Sequence, residues 1–368
     1  MIRKIGRFII LLFNVVSALL LLATLFVGYI SPEKVSFISS LSLFFPYLLA
    51  ANVCFSVLWL VSWKKYVFIS LAVLLISSPA IIKSYPIFKG RVEKNGNEIE
   101  LKILSYNTMS NFECKKHKPN KPNEGIQFIL DLDADIVCLQ EFEVHKNNEF
   151  LTHEDALKIF EKYKYKYIQY KDNLKPRQAG VATFSKYPIL NKQSIDYTSR
   201  YNSSIYTDID VNGTTIRVVN VHLESNRVTG MDKVMVKRLK ENFDRENISE
   251  VTQFFSKKLN EAAKVRAKQV DIVADVIEKS PHKVIVCGDF NDVPLSYTYK
   301  KMKGSLLDAF AQSGRGVGLT YSNGLYQLRI DYILHDKDFK STDFKVDKVK
   351  YSDHYPIMCS LWINPVKK

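Results

Sequence analysis

The stretch Val284-Ile285-Val286-Cys287-Gly288-Asp289-Phe290-Asn291-Asp292 predicts a buried strand that ends in a sharp turn. Three β-branched residues followed by a cysteine are typical of a strand that is covered on both faces. Side chains that lie just past such a strand line the crevice at the end of the sheet. A Gly-Asp turn after a strand also occurs for purely structural reasons. Asp289 and Asn291 are nevertheless predicted to point the same way into a functional site.

Other apolar segments of the chain also end at side chains that bind metals or carry protons. These are Asn107 after Ile103–Tyr106, Glu141 after Ile136–Gln140, His222 after Val218–Val221, Asp331 beside Ile330, and the pair Asp353 and His354 ahead of Ile357–Ile363. Taken singly, Glu141 fits a solvated strand end and His222 fits a core histidine equally well. Asp331 has an ordinary alternative as the ion-pair partner of Arg329. That several strands end alike favours one shared site.

The residue types in this set indicate which metal the site would hold. Most of the candidate ligands are oxygen atoms, and no pair of cysteines has a spacing that suggests zinc. Oxygen ligands favour a hard cation, Mg²⁺ or Mn²⁺. Such an ion, held by one or two carboxylates, keeps positions open for water and for a phosphate oxygen.

Seven short motifs carry a resemblance to a known family. In chain order, SYN, LQE, GVATFSKYPI, VHLES, GDFND, RIDYIL and SDH resemble the endonuclease/exonuclease/phosphatase superfamily, which has the fold of deoxyribonuclease I. The match spans about residues 99–363. The resemblance implies an α+β fold, a four-layer αββα sandwich in which two mixed sheets lie between helices, with the active site at one edge.

The resemblance also implies roles for individual residues. Glu141 resembles the principal metal ligand, and the metal site is completed by Asn107 and Asp353. Asp289 resembles the residue that orients or deprotonates the attacking water, and Asn291 resembles its phosphate-binding companion. The remaining residues implied in catalysis are His222 at the scissile phosphate and the His354–Asp331 pair on the phosphate or leaving oxygen.

Two departures from the family's patterns restrict the expected activity. Nucleases that cut at abasic sites usually have a tyrosine just ahead of the strand that resembles Ala179-Gly180-Val181, whereas this chain has Arg177-Gln178 there. Arg177 is open to two interpretations, a phosphate contact or a plain surface residue. The inositol-phosphatase signatures, GDLNYR and a Cys-Asp-Arg box, are also missing.

The first ninety residues predict a membrane anchor. Three apolar segments, residues 8–30, 35–63 and 67–82, approach or exceed the roughly 20 residues that cross a bilayer as a helix. Lys and Arg flank the first segment on its amino side and separate the second from the third. The positive-inside rule then places the N-terminus in the cytoplasm and, with three spans, everything after Lys83 in the periplasm or outside the cell.

The predicted domain organisation follows from these boundaries. Residues 1–88 form the anchor, residues 89–98 a polar linker, and residues 99–365 the catalytic domain, in which residues 228–280 form a long charged helical region. Of the net charge of +14, about half comes from the anchor, where eight Lys and Arg residues face one acidic residue. The remaining surplus favours an anionic partner without choosing among phosphate, nucleic acid and a lipid surface.

The sequence therefore favours a membrane-anchored, Mg²⁺- or Mn²⁺-dependent hydrolase of phosphate esters. Its substrate is left open between nucleic acid, a phospholipid and a small phosphate ester. Alternatives are a sphingomyelinase-like lipid phosphodiesterase, a membrane-bound binding module without turnover, and an intracellular nuclease whose apolar segments do not span a membrane.

Overall fold

The structure is a computed structural model that describes residues 2–62, 64–87, 96, 98–114, 123–146, 150–171, 176–199, 201–226, 230–241, 244–323 and 326–364. Most of the predicted linker, residues 89–98, lies outside these ranges. The chain divides into two compact units. The first unit contains Met1–Tyr85, Asn226–Ala267 and Val293–Lys300, and the second contains Pro86–Ser225, Lys268–Asp292 and Lys301–Lys368.

The helices, in chain order, are α1 (Ile2–Val27), α2 (Ser36–Ser39), a 3-10 turn (Ser40–Phe44), α3 (Phe45–Val61), α4 (Val67–Ser84), α5 (Met109–Cys114), α6 (Glu124–Asp131), α7 (His153–Ile159), α8 (Gly230–Glu241), α9 (Arg245–Glu278), α10 (Tyr297–Lys303) and α11 (Ala309–Ser313). The strands are β1 (Ile99–Asn107), β2 (Ile136–His145), β3 (Tyr165–Tyr170), β4 (Arg177–Ser185), β5 (Ile189–Ile195), β6 (Ser204–Val211), β7 (Thr214–His222), β8 (Lys283–Asp289), β9 (Leu307–Asp308), β10 (Tyr321–Ser322), β11 (Gln327–Leu328), β12 (Asp331–His335), β13 (Lys340–Val346) and β14 (Ile357–Ile363).

The first unit contains three helical segments that are long and apolar enough to cross a membrane. They cover Lys4–Val27, Ser36–Val61 and Val67–Ser84. Polar side chains join them: Asn14 Nδ2 donates to Ser70 Oγ at 2.6 Å, and Trp59 Nε1 donates to Asn14 Oδ1 at 2.9 Å. Such interhelical hydrogen bonds are typical of helices that associate in lipid. The three predicted apolar helices are confirmed, whereas the side on which each end lies stays a prediction.

The second unit is built on two six-stranded sheets, with strand orders β13-β14-β1-β2-β4-β3 and β5-β6-β7-β8-β12-β9. Each sheet is mixed because it contains one parallel pair, β1 with β2 in the first and β7 with β8 in the second. The predicted α+β sandwich is confirmed.

Alternation along the strands explains the continuous apolar runs in the sequence. Ile103 on β1 packs in one cluster with Val218 and Ile285 of the other sheet. Its neighbour Leu104 packs in a second cluster with Ile126 of α6. Both faces of the first sheet are therefore covered, as the β-branched runs predict.

The sequence did not reveal the two-residue strands β9, β10 and β11, nor the longer strands β5 and β13, each of which lies at one edge of its sheet. Most of β5 is exposed, and β13 carries a register shift with Asp343 at a φ of +56°. Edge strands of this kind lack the clean alternation that marks a strand in sequence. Within the described residues, the predicted helical region 228–280 contains two helices, α8 and α9.

Candidate active site

The ends of three neighbouring strands bring an imidazole and two carboxylates side by side. The register pairs His222 of β7 with Asp289 of β8, and Asp289 with Asp331 of β12. All three side chains are buried. Because β7 and β8 are parallel, their carboxyl ends meet at one edge of the sheet, where the sequence predicted a site.

The Gly-Asp turn after β8 is required by close packing of the backbone. Gly288 has a φ of +141°, and a Cβ placed on it would lie 2.0 Å from the carbonyl oxygen of Val221. Only glycine allows β7 and β8 to approach this closely at that point. Asn291 then adopts a left-handed φ of +53° and folds back, so that its backbone N donates to Asp289 Oδ1 at 2.8 Å.

Asn107 joins the two sheets within the site. Its Nδ2 donates to Asp289 Oδ2 at 3.0 Å and to Glu141 Oε1 at 3.2 Å. Asn107 ends β1 in the first sheet, whereas Asp289 ends β8 in the second. A single buried amide therefore connects the proposed metal ligand to the proposed water-orienting residue, which are far apart in the sequence.

A β-bulge aims Glu141 at the same edge. The register between β2 and β4 shifts between Gln140 and Phe142, and Glu141 itself has a φ of +50°. Bulges of this kind often redirect a side chain next to an active site. The Glu141 side chain keeps 35 % of its surface exposed, whereas that of Asp289 keeps 1 %, so Glu141 is the site carboxylate that solvent reaches more easily.

His222 faces both carboxylates without a hydrogen bond. Its Nε2 lies 3.7 Å from Glu141 Oε1 and 3.8 Å from Asp289 Oδ2. Within the described residues, this buried nitrogen has no hydrogen-bond partner. Burial, reinforced by the charge of His354, lowers the pKa of His222 to about 4. The imidazole is therefore neutral at physiological pH and has one ring nitrogen available for a substrate oxygen.

His354 has the opposite electrostatic environment. Its Nδ1 lies 3.0 Å from Asp331 Oδ2, and its Nε2 lies 3.6 Å from Asp289 Oδ2. Burial lowers the pKa of His354, but the charges of Asp331 and Asp289 outweigh burial and raise it to about 10. The ion-pair alternative for Asp331 is wrong, because Arg329 pairs with Asp308, at 2.9 Å.

Asp353 and Ser352 complete the edge. Ser352 Oγ donates to the carbonyl oxygen of Asn107 at 2.9 Å and accepts from the backbone N of His354 at 3.1 Å. Burial is the main factor that raises the pKa of Asp353, and the charge of Glu141 raises it further. Asp353 is thus within electrostatic range of the proposed metal ligand.

Two groups of side chains in this cleft could hold a divalent cation. Asp289, Asp331 and His354 each offer one ligand atom, and these atoms lie within 4.8 Å of one another. The group predicted from the resemblance consists of Glu141, Asn107 and Asp353. Carboxylate and amide oxygens together with a partly exposed carboxylate fit a hydrated hard cation. The described residues therefore suit divalent-metal chemistry, and the choice between the two groups stays open.

Several residues that support the site were not identified from sequence. The ring of Tyr321 lies 4.8 Å from the ring of His354. Asn220 lies fully buried between the sheets, where its Oδ1 accepts from Gln140 Nε2 at 2.8 Å and its Nδ2 donates to the Ala182 carbonyl at 2.9 Å. An asparagine within the apolar run Val218-Val219-Asn220-Val221 was the available signal, since a buried amide requires partners.

Arg177 lies beyond the bulge on the neighbouring strand. Its Nε pairs with Glu143 Oε2 at 2.5 Å, and its Nη2 donates to Ser110 Oγ at 2.9 Å. The carboxylate of Glu143 is buried, whereas the Arg177 side chain is 57 % exposed. These contacts orient the guanidinium, and a phosphate contact by Arg177 stays a prediction.

Comparisons with known proteins bear on both parts of the chain. The profile of the Endonuclease/Exonuclease/phosphatase family matches residues 104–354. The profile of a domain of unknown function matches residues 7–84. Among curated proteins, none matches this chain.

Solved structures also resemble part of the chain. An endonuclease/exonuclease/phosphatase from Beutenbergia cavernae has a TM-score of 0.50 and 16% identity over 73% of both chains. A humanized D. rerio TDP2 has a TM-score of 0.49 and 15% identity, covering 71% of this chain and 98% of that chain. A beta toxin from Staphylococcus aureus has a TM-score of 0.46 and 21% identity, covering 70% of this chain and 99% of that chain. The first of these similarities supports the sandwich fold.

Proposed function

Because this chain belongs to the endonuclease/exonuclease/phosphatase family, we propose that it is a membrane-anchored phosphoesterase that uses Mg²⁺ or Mn²⁺ to hydrolyse a phosphodiester or a phosphomonoester. One observation carries the proposal: Asn107 Nδ2 bonds both Glu141 Oε1 and Asp289 Oδ2, while His222 and His354 face the same Asp289 oxygen. Residues from both sheets thus meet around one carboxylate, as a cleft for an anionic ester requires.

The metal would be held by Glu141, Asn107 and Asp353. When bound, it would supply positive charge to the phosphate oxygens and lower the pKa of a coordinated water. Glu141 suits this role because the bulge exposes its carboxylate at the edge. Burial is the main factor that raises the pKa of Asp353, and the charge of the nearby Glu141 raises it further; a bound cation would neutralise the charge of these two carboxylates.

Asp289 orients and deprotonates the attacking water in the proposed reaction. Hydrogen bonds from Asn107 and Asn291 hold its two oxygens in place. Burial raises the pKa of Asp289 above its ordinary value, which makes its carboxylate a stronger base. The water oxygen forms a bond to phosphorus as the bond to the leaving oxygen breaks, and Asp289 takes the proton.

The two histidines have different roles in the proposed reaction. His222, which is neutral and whose Nε2 has no hydrogen-bond partner among the described residues, contacts a non-bridging phosphate oxygen. His354, held as a cation by Asp331, gives its proton to the leaving oxygen. A cationic acid and a carboxylate base in one cleft are the pair that general acid–base catalysis needs.

The substrate class is tested by a panel assay of the full-length protein in detergent. Plasmid DNA, RNA, sphingomyelin and soluble phosphate esters are each incubated with Mg²⁺ or with EDTA. We expect hydrolysis of at least one substrate that EDTA abolishes and that His354→Ala reduces strongly. Activity that survives chelation would contradict the metal requirement, and full activity in the His354 variant would contradict the assignment of the acid.

The membrane anchor favours phospholipid within this panel, because it keeps the enzyme on a bilayer. The sphingomyelinase-like alternative therefore predicts faster turnover on sphingomyelin in vesicles than on soluble esters. A non-catalytic binding module predicts binding without turnover for every substrate.

The proposed location places the N-terminus in the cytoplasm and the catalytic domain in the periplasm or outside the cell. A reporter fused after Lys368 tests this topology. Activity of a reporter that works only outside the cytoplasm is the expected outcome. A reporter that works only in the cytoplasm would support the intracellular alternative.

A further inference from the structure

The chain returns to the membrane helices immediately after the catalytic turn. Val293–Lys300, which begins two residues after Asn291, belongs to the same compact unit as the apolar helices α1, α3 and α4. Leu295 packs against the apolar cluster of that unit, which includes Ala18, Leu21 and Phe45. A segment of the catalytic motif region is therefore part of the membrane unit.

The contact is made at the C-terminal end of the first apolar helix, and it depends on Gly28. A Cβ placed on Gly28 would lie 2.9 Å from the Leu295 carbonyl oxygen, 3.1 Å from Lys300 Cβ and 3.2 Å from the Ser296 carbonyl oxygen. Two of these neighbours are backbone atoms, which cannot swing aside as a side chain can. Glycine therefore allows the segment to lie directly against the helix end.

Tyr29 extends this contact surface, because Lys300 Nζ lies 4.5 Å from the centre of its ring. A cation over an aromatic face is an attractive arrangement. Gly28 and Tyr29 together form a two-residue seat for residues 295–300, which we call the anchor seat.

The backbone of residues 293–300 contains one residue in an unfavourable conformation. Leu295 has a φ of +72°, a left-handed conformation that is uncommon for a residue other than glycine. The turn is closed by a hydrogen bond from the Ser296 backbone N to the Val293 carbonyl at 3.2 Å. Ser296 Oγ then accepts from the Tyr299 backbone N at 3.1 Å as α10 begins. The packing of Leu295 stabilises a backbone conformation that is unfavourable by itself.

We infer that Gly28 and Leu295 are positioning residues for catalysis, and that the anchor supports the catalytic turn in addition to tethering the protein. This inference rests on the proposed function. Leu295 is four positions after Asn291, so their Cα atoms are at most about 14 Å apart whatever path the chain takes. Displacing Leu295 therefore acts on the turn that carries Asp289 and Asn291. Misplacing a reacting group by about 1 Å can reduce a rate by about 100-fold.

The first experiment compares Gly28, which directly follows α1, with Gly6, which lies within α1, in the full-length protein. Gly28→Val places a side chain against the anchor seat, whereas Gly6 has no atom within 4 Å of an added Cβ, so Gly6→Val is its matched control. With the substrate identified by the panel assay, kcat of Gly28→Val should fall at least tenfold while KM stays near the wild-type value. Gly6→Val should match the wild type in both constants.

A second pair of variants separates positioning from a general loss of folding. Leu295→Met keeps an apolar side chain of similar volume and should retain kcat. Leu295→Gly keeps the left-handed backbone accessible but removes the side chain, and it should lower kcat as Gly28→Val does. Equal activity of Gly28→Val and Gly6→Val, or of Leu295→Gly and Leu295→Met, would overturn the inference.

A cross-link tests the contact independently of activity. The double variant Gly28→Cys with Lys300→Cys should form a disulfide under mild oxidation, because a Cβ on Gly28 would lie 3.1 Å from Lys300 Cβ, and the small shift that the added Cβ imposes on its neighbours moves the pair towards the roughly 3.5–4.5 Å that a disulfide requires. Gly6→Cys with Lys300→Cys is the control. Linked peptides are identified by mass spectrometry, and equal yields would overturn the contact. If the wild type hydrolyses nothing, the proposed function fails, whereas an active wild type with no effect at Gly28 refutes only the positioning role.

Discussion

The two parallel strand pairs of the catalytic unit end in residues of different character. The pairing of β1 with β2 ends at Asn107 and Gln140, and the partly exposed Glu141 follows at the bulge in β2, whereas the pairing of β7 with β8 ends at the buried His222 and Asp289. A carboxylate that solvent reaches suits a hydrated cation, and a buried carboxylate of raised pKa suits proton transfer. Under the proposed function, the two sheets contribute different chemistry to one cleft, and Asn107 is hydrogen-bonded to a carboxylate from each sheet.

The largest effect on activity is expected from replacing Asp289, the buried carboxylate at the end of β8. Asp289→Asn should lower kcat by about 10³-fold, because it removes the group that takes the proton from water. Steady-state kinetics on the substrate identified by the panel assay measures the effect. Asp275→Asn is the control, because that carboxylate is 56 % exposed and pairs with Lys279 on the surface of α9. An Asp289→Asn enzyme that keeps more than a tenth of the wild-type kcat would contradict the proposal that the residues ending β7 and β8 carry out the proton transfer.

Replacing the partly exposed Glu141 should weaken the binding of the metal. Glu141→Gln should lower activity by about 10²-fold at limiting Mg²⁺, since it removes several kcal/mol of charge stabilisation. Raising the Mg²⁺ concentration should recover part of the loss, which a titration of activity against Mg²⁺ measures. Asp289→Asn should show no such recovery. Glu241→Gln, at an exposed position, serves as the control, and a loss at Glu141 that is insensitive to Mg²⁺ would assign it a different role.

Replacing Asn107, which donates hydrogen bonds to both Glu141 and Asp289, should lower activity moderately. Asn107→Ala should cost about ten- to a hundredfold in activity, because it releases the carboxylates of Glu141 and Asp289 from their shared donor. In a double-mutant cycle, Asn107→Ala and Asp289→Asn should be strongly non-additive. Additive losses would mean that the hydrogen bond between them contributes nothing to catalysis.

The smallest expected effect is on stability, and it distinguishes the two histidines. In EDTA, the His354 contribution should be complete below its unfolded pKa near 6.5 and should disappear as the pH rises towards about 10. The His222 pKa is lowered to about 4, so stability should fall as the pH drops from about 6.5 to about 4.

Melting temperatures of the full-length protein across this pH range measure both effects, at about 2–4 °C for each kcal/mol. His354→Gln should flatten the alkaline side of the profile, and His222→Gln should flatten the acidic side. Identical profiles for the two variants would contradict the opposite environments of these rings.

Much of the site was predictable because its residues end apolar strands. The run before Asp289 and the run before His222 each mark a buried strand, and a polar residue at its end is visible in a short window of sequence. The three apolar helices were predictable for the same reason, since length and hydropathy are local properties.

Other features could not be predicted because their partners are remote. Tyr321 packs on His354 from a two-residue strand, and Ser352 contacts the carbonyl of Asn107 across 245 positions of sequence. The edge strand β5 lacks alternation because most of it is exposed, and the pattern of β13 is interrupted by its register shift. Val293–Lys300 gives no sequence signal for its contact with the membrane helices, since Gly28 is one small residue at the end of an apolar run.

The order of the motifs and the apolar character of the first helices are properties of the sequence itself, because hydrophobic periodicity specifies a strand or helix locally. The tertiary structure alone decided that Asp331 pairs with His354 while Arg329 pairs with Asp308, and that the pKa of His222 is lowered while that of His354 is raised. These outcomes depend on strand register and burial, which position charges from distant parts of the chain within a few ångströms of one another.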